Sequence, residues 1–164
     1  MVEENFEMTT WPKISIITPS FNQGGFIEET IRSVILQNYP DFEYFIVDGG
    51  STDNTIDIIK KHEKSITKWV SEKDEGQSDA LNKAFNWCTG DLICWINSDD
   101  FFYPGAFMKI AEKYLTCNTK ETSIITGNTI NIDRDSNPFT HSTKSYFPFN
   151  TPADLTLIDH SKWY

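Results

Sequence analysis

The sequence predicts an α/β fold, a mostly parallel sheet flanked by helices and followed by a β-rich C-terminal segment. Three observations carry that expectation. Short apolar runs alternate four times with stretches whose apolar residues recur at helical spacing. The junctions where a run gives way to a helix are polar and rich in Gly, Ser, Asp and Asn. A chain of 164 residues with 38% hydrophobic and 14% aromatic content has the makings of one ordinary domain with a core. Alternation of this kind requires crossover connections, hence parallel neighbours with helices on both faces and ligands beyond the carboxyl ends of the strands.

Residues 1–12 are polar and without period and read as a loose, flexible N-terminal arm. Lys13 to Thr18 is the first strand. After the turn-like Pro19 to Gly25, Ile27, Ile31, Val34 and Ile35 share one face of a helix that stops before Pro40. Tyr44 to Val47 reads as a buried strand that delivers Asp48 to its tip. Gly49-Gly50-Ser51-Thr52 then turns the chain into a helix ending near His62, with Ser51, Thr52 and Asp53 as its caps. Ile66 to Val70 is the third strand, followed by a helix with Leu81, Ala84, Phe85 and Cys88 on one face and Gly90 as its stop. The fourth strand, Leu92 to Ile96, reads as a buried apolar run. Pro104 then opens a helix with Phe107, Ile110, Ala111 and Tyr114 on one face. From Ser123 the pattern becomes β-rich through Ile130, with a turn-rich stretch around Asp133 to Pro138. Residues 13–132 are thus the core.

A net charge of −10 argues against a nucleic-acid partner, which needs clustered Lys and Arg to release counterions. Cys88, Cys94 and Cys117 are odd in number and lack CxxC spacing, which favours neither a disulfide framework nor a zinc site; Cys88 and Cys94 fall in apolar patterns as packing residues. His62, His141 and His160 are scattered and read as surface residues. No apolar run reaches the roughly 18 residues that span a bilayer, and the acidic N-terminus is unlike a signal peptide. A cytoplasmic setting is expected, with peripheral association at the inner face of the membrane left open.

Asp99 and Asp100 end the fourth strand. An apolar strand gains nothing from two acids at its tip, whereas a divalent cation bridging protein to a diphosphate needs hard oxygen ligands there. Both can address one ligand only if the strand has already broken into a loop. One then holds the metal, and the other a ribose hydroxyl or a supporting hydrogen bond; a turn that caps the next helix is the plain alternative. Asp48 stands at a second strand tip, where a carboxylate either accepts a uracil imide N–H or a sugar hydroxyl, or organises its own turn. Thr18, Pro19, Ser20 and Asn22 offer hydroxyl, amide and backbone donors at the first tip. Lys73, Asp74, Glu75, Gln77, Ser78 and Asp79 form a polar cluster, most of it read as a solvated loop in which Ser78 caps a helix. Neither GxGxxG nor GxxxxGK[ST] is present, so the phosphates are to be neutralised chiefly by metal.

Lys13 to Asn22, Val47 to Thr55, Gly76 to Asn82 and Asn97 to Asp100 together closely resemble the family 2 glycosyltransferases of the GT-A fold, in the family's order, across roughly Lys13 to Ile132. The resemblance implies a Rossmann-like GT-A core, a nucleotide-sugar donor, usually a UDP-sugar, a Mn²⁺ or Mg²⁺ ion, and inverting transfer to a saccharide or lipid-linked acceptor. By that likeness Thr18 and Asp48 line the nucleoside pocket and Asp99 and Asp100 match the DxD-type acids. The expected donor contacts are Thr18, Pro19, Ser20, Asn22, Asp48, Gln77, Ser78, Ser98 and Asp99, with Asp99 and Asp100 at the metal. Three positions depart from the family: Gly49 follows Asp48 where a second acid is frequent, Leu81 replaces a frequent Arg, and Asn97 stands at the first acid of a strict DxD. Residues 133–164 are expected to begin an acceptor-side region that is truncated, with the general base beyond Tyr164. The chain then reads as the donor-binding half of an enzyme. A non-catalytic nucleotide-sugar-binding or interaction module is the alternative. A nucleotidyltransferase ranks last, because Pro19 to Gly25 holds no Lys or Arg.

Overall fold

The computed structural model describes residues 10–116, 124–127 and 130–133 and the backbone of 156–158. The chain divides into two compact units, Met1–Ala111 and Glu112–Tyr164. In the first, β1 (Ile14–Ser20), α1 (Ile27–Ile35), β2 (Phe42–Asp48), α2 (Thr55–Lys61), β3 (Lys68–Ser71), α3 (Gln77–Phe85), β4 (Leu92–Trp95) and α4 (Ala106–Thr116, running past the boundary) follow in order. The four strands form one sheet in the order β3-β2-β1-β4. Every pairing is parallel, with Ile14 opposite Phe42 and Leu92, and Phe45 opposite Lys68. The order runs outward from β1 to β3 and then reverses to β4. That reversal makes the tips of β1 and β4 a topological switch point, where open parallel sheets part and admit ligands.

The period of two along β2 divides the core. Tyr44 and Ile46 face Ile27, Ile31 and Val34 of α1, Ile59 of α2 and Phe107 of α4. Phe45 and Val47, with Ile17 of β1, face Ala80 and Ala84 of α3. Phe107 packs edge-on against Tyr39, Phe42 and Phe102 at 6.2, 6.1 and 5.1 Å. Trp11 and Pro12, expected in the arm, are fixed in place. Trp11 lies 6.3 Å from the Tyr39 ring, and Pro12 O accepts the Tyr39 hydroxyl at 2.6 Å.

Several elements differ from expectation for physical reasons. The third strand begins at Lys68, because a 3-10 turn at Glu63–Ser65 precedes it and Ile66 serves as core packing. The buried face of α3 is Ala80 and Ala84, while Phe85 is exposed, since two small residues let the helix lie close to the sheet. Gly90 does not stop that helix. A Cβ there would meet Lys13 O at 2.7 Å and Ser15 N at 2.8 Å, so the glycine permits a close approach to β1. Among the described residues β4 is an outer strand: Leu92 and Cys94 pack on the core, whereas Ile93 and Trp95 stay half-exposed. Pro104 lies in a turn with Gly105 (φ 78°), and α4 begins at Ala106. Cys88 packs on the α3 side of the sheet, and His62 contacts Glu28 at 3.2 Å.

At the amino-terminal edge of the sheet Glu43 is buried. It accepts hydrogen bonds from Ser15 Oγ at 2.6 Å, Thr89 N at 2.5 Å and Thr89 Oγ1 at 2.9 Å, and it pairs with Lys13 Nζ at 2.7 Å. Burial pushes this carboxyl up, but the bonds from Lys13, Ser15 and Thr89 outweigh it and hold the group at about 2.

In the second unit β5 (Ile124–Thr126) pairs antiparallel with β6 (Thr156–Ile158), Ile124 opposite Ile158. Cys117, His141, His160 and the turn-rich stretch after Asp133 lie outside the described residues. No described helix is long and apolar enough to cross a membrane.

Candidate active site

The loops after β1 and β2 are tied together before any ligand is considered. Asn22 adopts a left-handed conformation (φ 53°). Its Oδ1 accepts the Thr52 N–H at 2.9 Å, and its own N–H donates to Ser51 Oγ at 2.7 Å. Gly24 donates to Asp53 Oδ2 at 2.9 Å, and a Cβ on it would fall 1.8 Å from Asn54 Oδ1. Ser51 and Thr52, expected as helix caps, are therefore braces between two strand tips; Asn54 at the N-cap of α2 makes no side-chain cap bond, and Asp53, also expected to cap, accepts the Thr55 N–H on Oδ1 at 3.0 Å.

Asp48 is fully enclosed. Its carboxylate accepts the N–H groups of Gly50 (3.0 Å) and Ser51 (2.8 Å) and the hydroxyls of Ser71 (2.7 Å) and Ser51. Both oxygens are engaged, and the residue organises its own turn. Thr18 is equally buried, its hydroxyl bonded to Tyr44 Oη at 2.9 Å, and burial pushes the Tyr44 phenol up so that it stays neutral.

Beyond the carboxyl ends of the strands lies a cleft of about 760 Å³, the size of a small-molecule site. All four strand tips line it: Pro19, Ser20, Phe21 and Gln23 after β1; Gly49 and Gly50 after β2; Lys73, Asp74, Gly76 and Gln77 after β3; and Asn97, Ser98 and Asp99 after β4. Ser20 is only 7% exposed, and its Oγ has no hydrogen-bond partner among the described residues. Buried hydroxyls are rarely left so, and the residue that carries this one lines the cleft.

The loop after β4 separates the two acids. Asp100 N–H donates to Asn97 O at 3.1 Å, closing a turn, and Asn97 Nδ2 donates to Asp100 Oδ2 at 3.1 Å. Thr30 Oγ1 holds Asp100 O at 2.7 Å, and Gln77 Nε2 reaches Asn97 Oδ1 at 2.6 Å. Asp99 is left lining the cleft and Asp100 is braced outside it. Of the expected contacts, Pro19, Ser20, Gln77, Ser98 and Asp99 converge on the cleft, whereas Thr18, Asn22, Asp48, Ser78 and Asp100 do not line it. Ser78 is exposed on α3, whose N-cap is Gly76 (φ 111°). Lys73 and Asp74, read from sequence as solvated loop, do line the cleft. Lys83 is paired with Glu72, while Lys73 makes no ion pair among the described residues.

No group of three or more His, Cys, Asp or Glu that could hold a metal occurs among the described residues. A cation at this cleft would have one or two acids from the protein and would take its remaining oxygens from ligand and water, as Mg²⁺-like ions do between a carboxylate and a diphosphate. Asp99, with the unpartnered Ser20 hydroxyl in the same cleft, fits that donor set.

A parallel sheet with its switch point at β1 and β4, four tips converging on one cleft and a single acid presented at the β4 tip define a GT-A-type glycosyltransferase core. The chain belongs to glycosyl transferase family 2, whose sequence model matches residues 15–161. It is 41% identical over 97 residues to TuaG of Bacillus subtilis (strain 168), a glycosyltransferase named for teichuronic acid biosynthesis, covering 57% of this chain and 38% of TuaG. Among solved structures it is similar to S. aureus TarS 1-349 in complex with UDP-GlcNAc, with TM-score 0.56 and 27% identity over 63% of this chain and 31% of that one. It is also similar to the mannosyltransferase PcManGT of Pyrobaculum calidifontis in complex with GDP-Man and Mn²⁺, with TM-score 0.58 and 28% identity over 68% and 34% of the two chains. The chain thus spans about two fifths of the length of TuaG and a third of these structures.

Proposed function

We propose that the cleft binds a nucleoside diphosphate sugar, with a UDP-sugar as donor, and that the complete enzyme transfers the sugar with inversion to a saccharide or lipid-linked hydroxyl. The observation that carries this reading is the convergence of Ser20, whose buried hydroxyl has no partner among the described residues, with Asp99 and Lys73 on one cleft. Asp99 holds a Mn²⁺ or Mg²⁺ ion, and Asp100, fixed by Asn97 and Thr30, keeps that loop in register. Lys73 offers positive charge to phosphate oxygens where Leu81 supplies none. Ser20 donates to a ligand oxygen, and the Gln77 to Asn97 bond holds the loops after β3 and β4 together across the rim. When bound, the cation supplies Lewis-acid stabilisation of the departing diphosphate.

Displacement by an acceptor hydroxyl needs a base within hydrogen-bond reach of it. The acids lining the cleft, Asp74 and Asp99, serve the nucleotide in this reading, so the base lies outside the described residues. Calorimetric titration of UDP and of GDP, with and without Mn²⁺, tests the proposal. Metal-dependent binding with weak or absent transfer by this chain is the expected result; robust transfer, or no nucleotide binding by folded protein, overturns it.

A further inference from the structure

From the hydrogen bonds that α1 makes to the segment after β4, we infer that Thr30, Ser33 and Gln37 are positioning residues that set Asp99 in the cleft for a metal-bound diphosphate. This rests on the nucleotide reading above. The buried face of α1 is otherwise apolar, built of Ile27, Ile31 and Val34. Thr30 is nevertheless 1% exposed, and Gln37, just past the end of the helix, 6%. With Ser33 between them, spacings of three and four residues align the three side chains along one side of the helix.

Opposite this polar stripe, the chain from Asp100 has no regular structure until α4 begins at Ala106. Backbone of that kind needs partners for its N–H and C=O groups outside itself. The stripe supplies them with matched polarity. Thr30 Oγ1 donates to Asp100 O at 2.7 Å, and Ser33 Oγ accepts the Phe102 N–H at 3.1 Å. Gln37 Nε2 donates to Tyr103 O at 3.1 Å, while its Oε1 accepts the Phe107 N–H at 3.3 Å. The stripe is itself tied to the helix backbone, Ser33 Oγ donating to Thr30 O at 2.8 Å and Gln37 Nε2 to Ser33 O at 2.9 Å.

Asp99 depends on this arrangement. Its carboxylate makes no hydrogen bond among the described residues, so its place at the cleft is inherited from the backbone on either side. On the strand side the Ile96 N–H donates to Ile17 O at 2.9 Å. On the far side the first anchor to another element is Asp100 O on Thr30. A metal ligand has to be held within about 0.5 Å of its productive position, and a group bonded directly to a ligand is worth about tenfold or more in metal affinity. Thr30 and Ser33 act one step further back, so about fivefold is expected of each.

The test compares UDP affinity with Mn²⁺ and with a chelator on the wild type, Thr30→Val, Thr30→Ser, Ser33→Ala and Ser15→Ala, together with amide hydrogen exchange of the nucleotide-free proteins. The gain in UDP affinity on adding Mn²⁺ is expected to fall about fivefold in Thr30→Val and Ser33→Ala, and to return to within about twofold of wild type in Thr30→Ser. Exchange in peptides covering Asp99 to Phe107 is expected to quicken in Thr30→Val and Ser33→Ala. Ser15→Ala removes a buried hydroxyl bonded to Glu43 and Gly90 at the other end of the sheet, and is expected to lower stability with the Mn²⁺ gain unchanged. A Mn²⁺ gain untouched in folded Thr30→Val and Ser33→Ala overturns the inference, as does a Thr30→Ser no better than Thr30→Val. An equal fall in Ser15→Ala also overturns it, since stability alone would then explain the effect. Unchanged exchange beside an intact wild-type Mn²⁺ gain overturns the stripe and leaves the nucleotide reading standing. Absence of a Mn²⁺ gain in the wild type overturns the metal reading, and the role of the stripe with it.

Discussion

At the amino-terminal edge of the sheet the Glu43 carboxylate meets Lys13, Ser15 and Thr89, and both of its oxygens are matched. At the carboxyl-terminal edge, among the described residues, Ser20 Oγ has no partner, Lys73 makes no ion pair, and Asp74 has one carboxylate oxygen without a hydrogen bond. Both edges draw on the same chemistry of acid, lysine and serine. The closed edge gains stability from its polar groups, and the open edge holds its groups ready for something else. Asp48 shows that the division is not simply one of position, for it stands at the open edge and is closed. The polar residues that carry function are those whose hydrogen bonding the fold leaves incomplete.

The largest expected effect lies at the closed edge. Glu43→Ala removes a buried carboxylate that accepts from Lys13, Ser15 and Thr89, and should lower unfolding free energy by about 2 kcal/mol, the usual size for hydrogen bonds to a charged group. Urea melts would show it, and UDP affinity at a temperature where the variant is folded should be unchanged. A loss of nucleotide binding by folded Glu43→Ala would break the comparison.

Acid should separate the edges next. The carboxyl of Glu43 is held at about 2 in the fold against an ordinary 4.5. The folded value is depressed, so its stabilisation is present above pH 4.5 and is lost as pH falls toward about 2. Chemical denaturation between pH 5 and pH 2 should show that slope in the wild type, reduced in Glu43→Gln.

Ser20→Ala removes a hydroxyl that gains nothing in the free protein. Stability should hold or rise by about 1 kcal/mol, while nucleotide affinity falls about fivefold, a contrast that a packing residue would not give. The smallest effect is expected of Asp100→Ala. Because Asp100 is braced by Asn97 and Thr30 outside the cleft, its removal should weaken Mn²⁺-dependent binding only about threefold. A loss equal to that of Asp99→Ala would place both acids on the metal.

The sheet was legible because its strands and helices announce themselves by period: Tyr44 to Val47 and Ile27 to Val34 bury the faces their spacing predicts. The packing face of α3 was less so, since Ala80 and Ala84 carry little hydrophobic signal and Phe85, which carries much, is exposed. Gly90 looks like a helix stop in one dimension and is a close approach to β1 in three. At the site, Ser20 and Asp99 were readable as polar residues at strand tips. The closure of Asp48 was readable only as one of two alternatives: its bonds to Gly50 and Ser51 are local, but the one from Ser71 comes from 23 residues away. The placement of Asp74 was not readable, for it fills the space of a side chain that Gly49 lacks.

The central claim is that the open edge is a metal-assisted nucleotide site centred on Asp99. Its most direct test is titration of UDP with and without Mn²⁺ on the wild type and on Asp99→Ala, with circular dichroism confirming that both are folded. Binding that requires Mn²⁺ and falls about tenfold or more in the variant is the predicted result. Binding indifferent to both Mn²⁺ and Asp99 would contradict it.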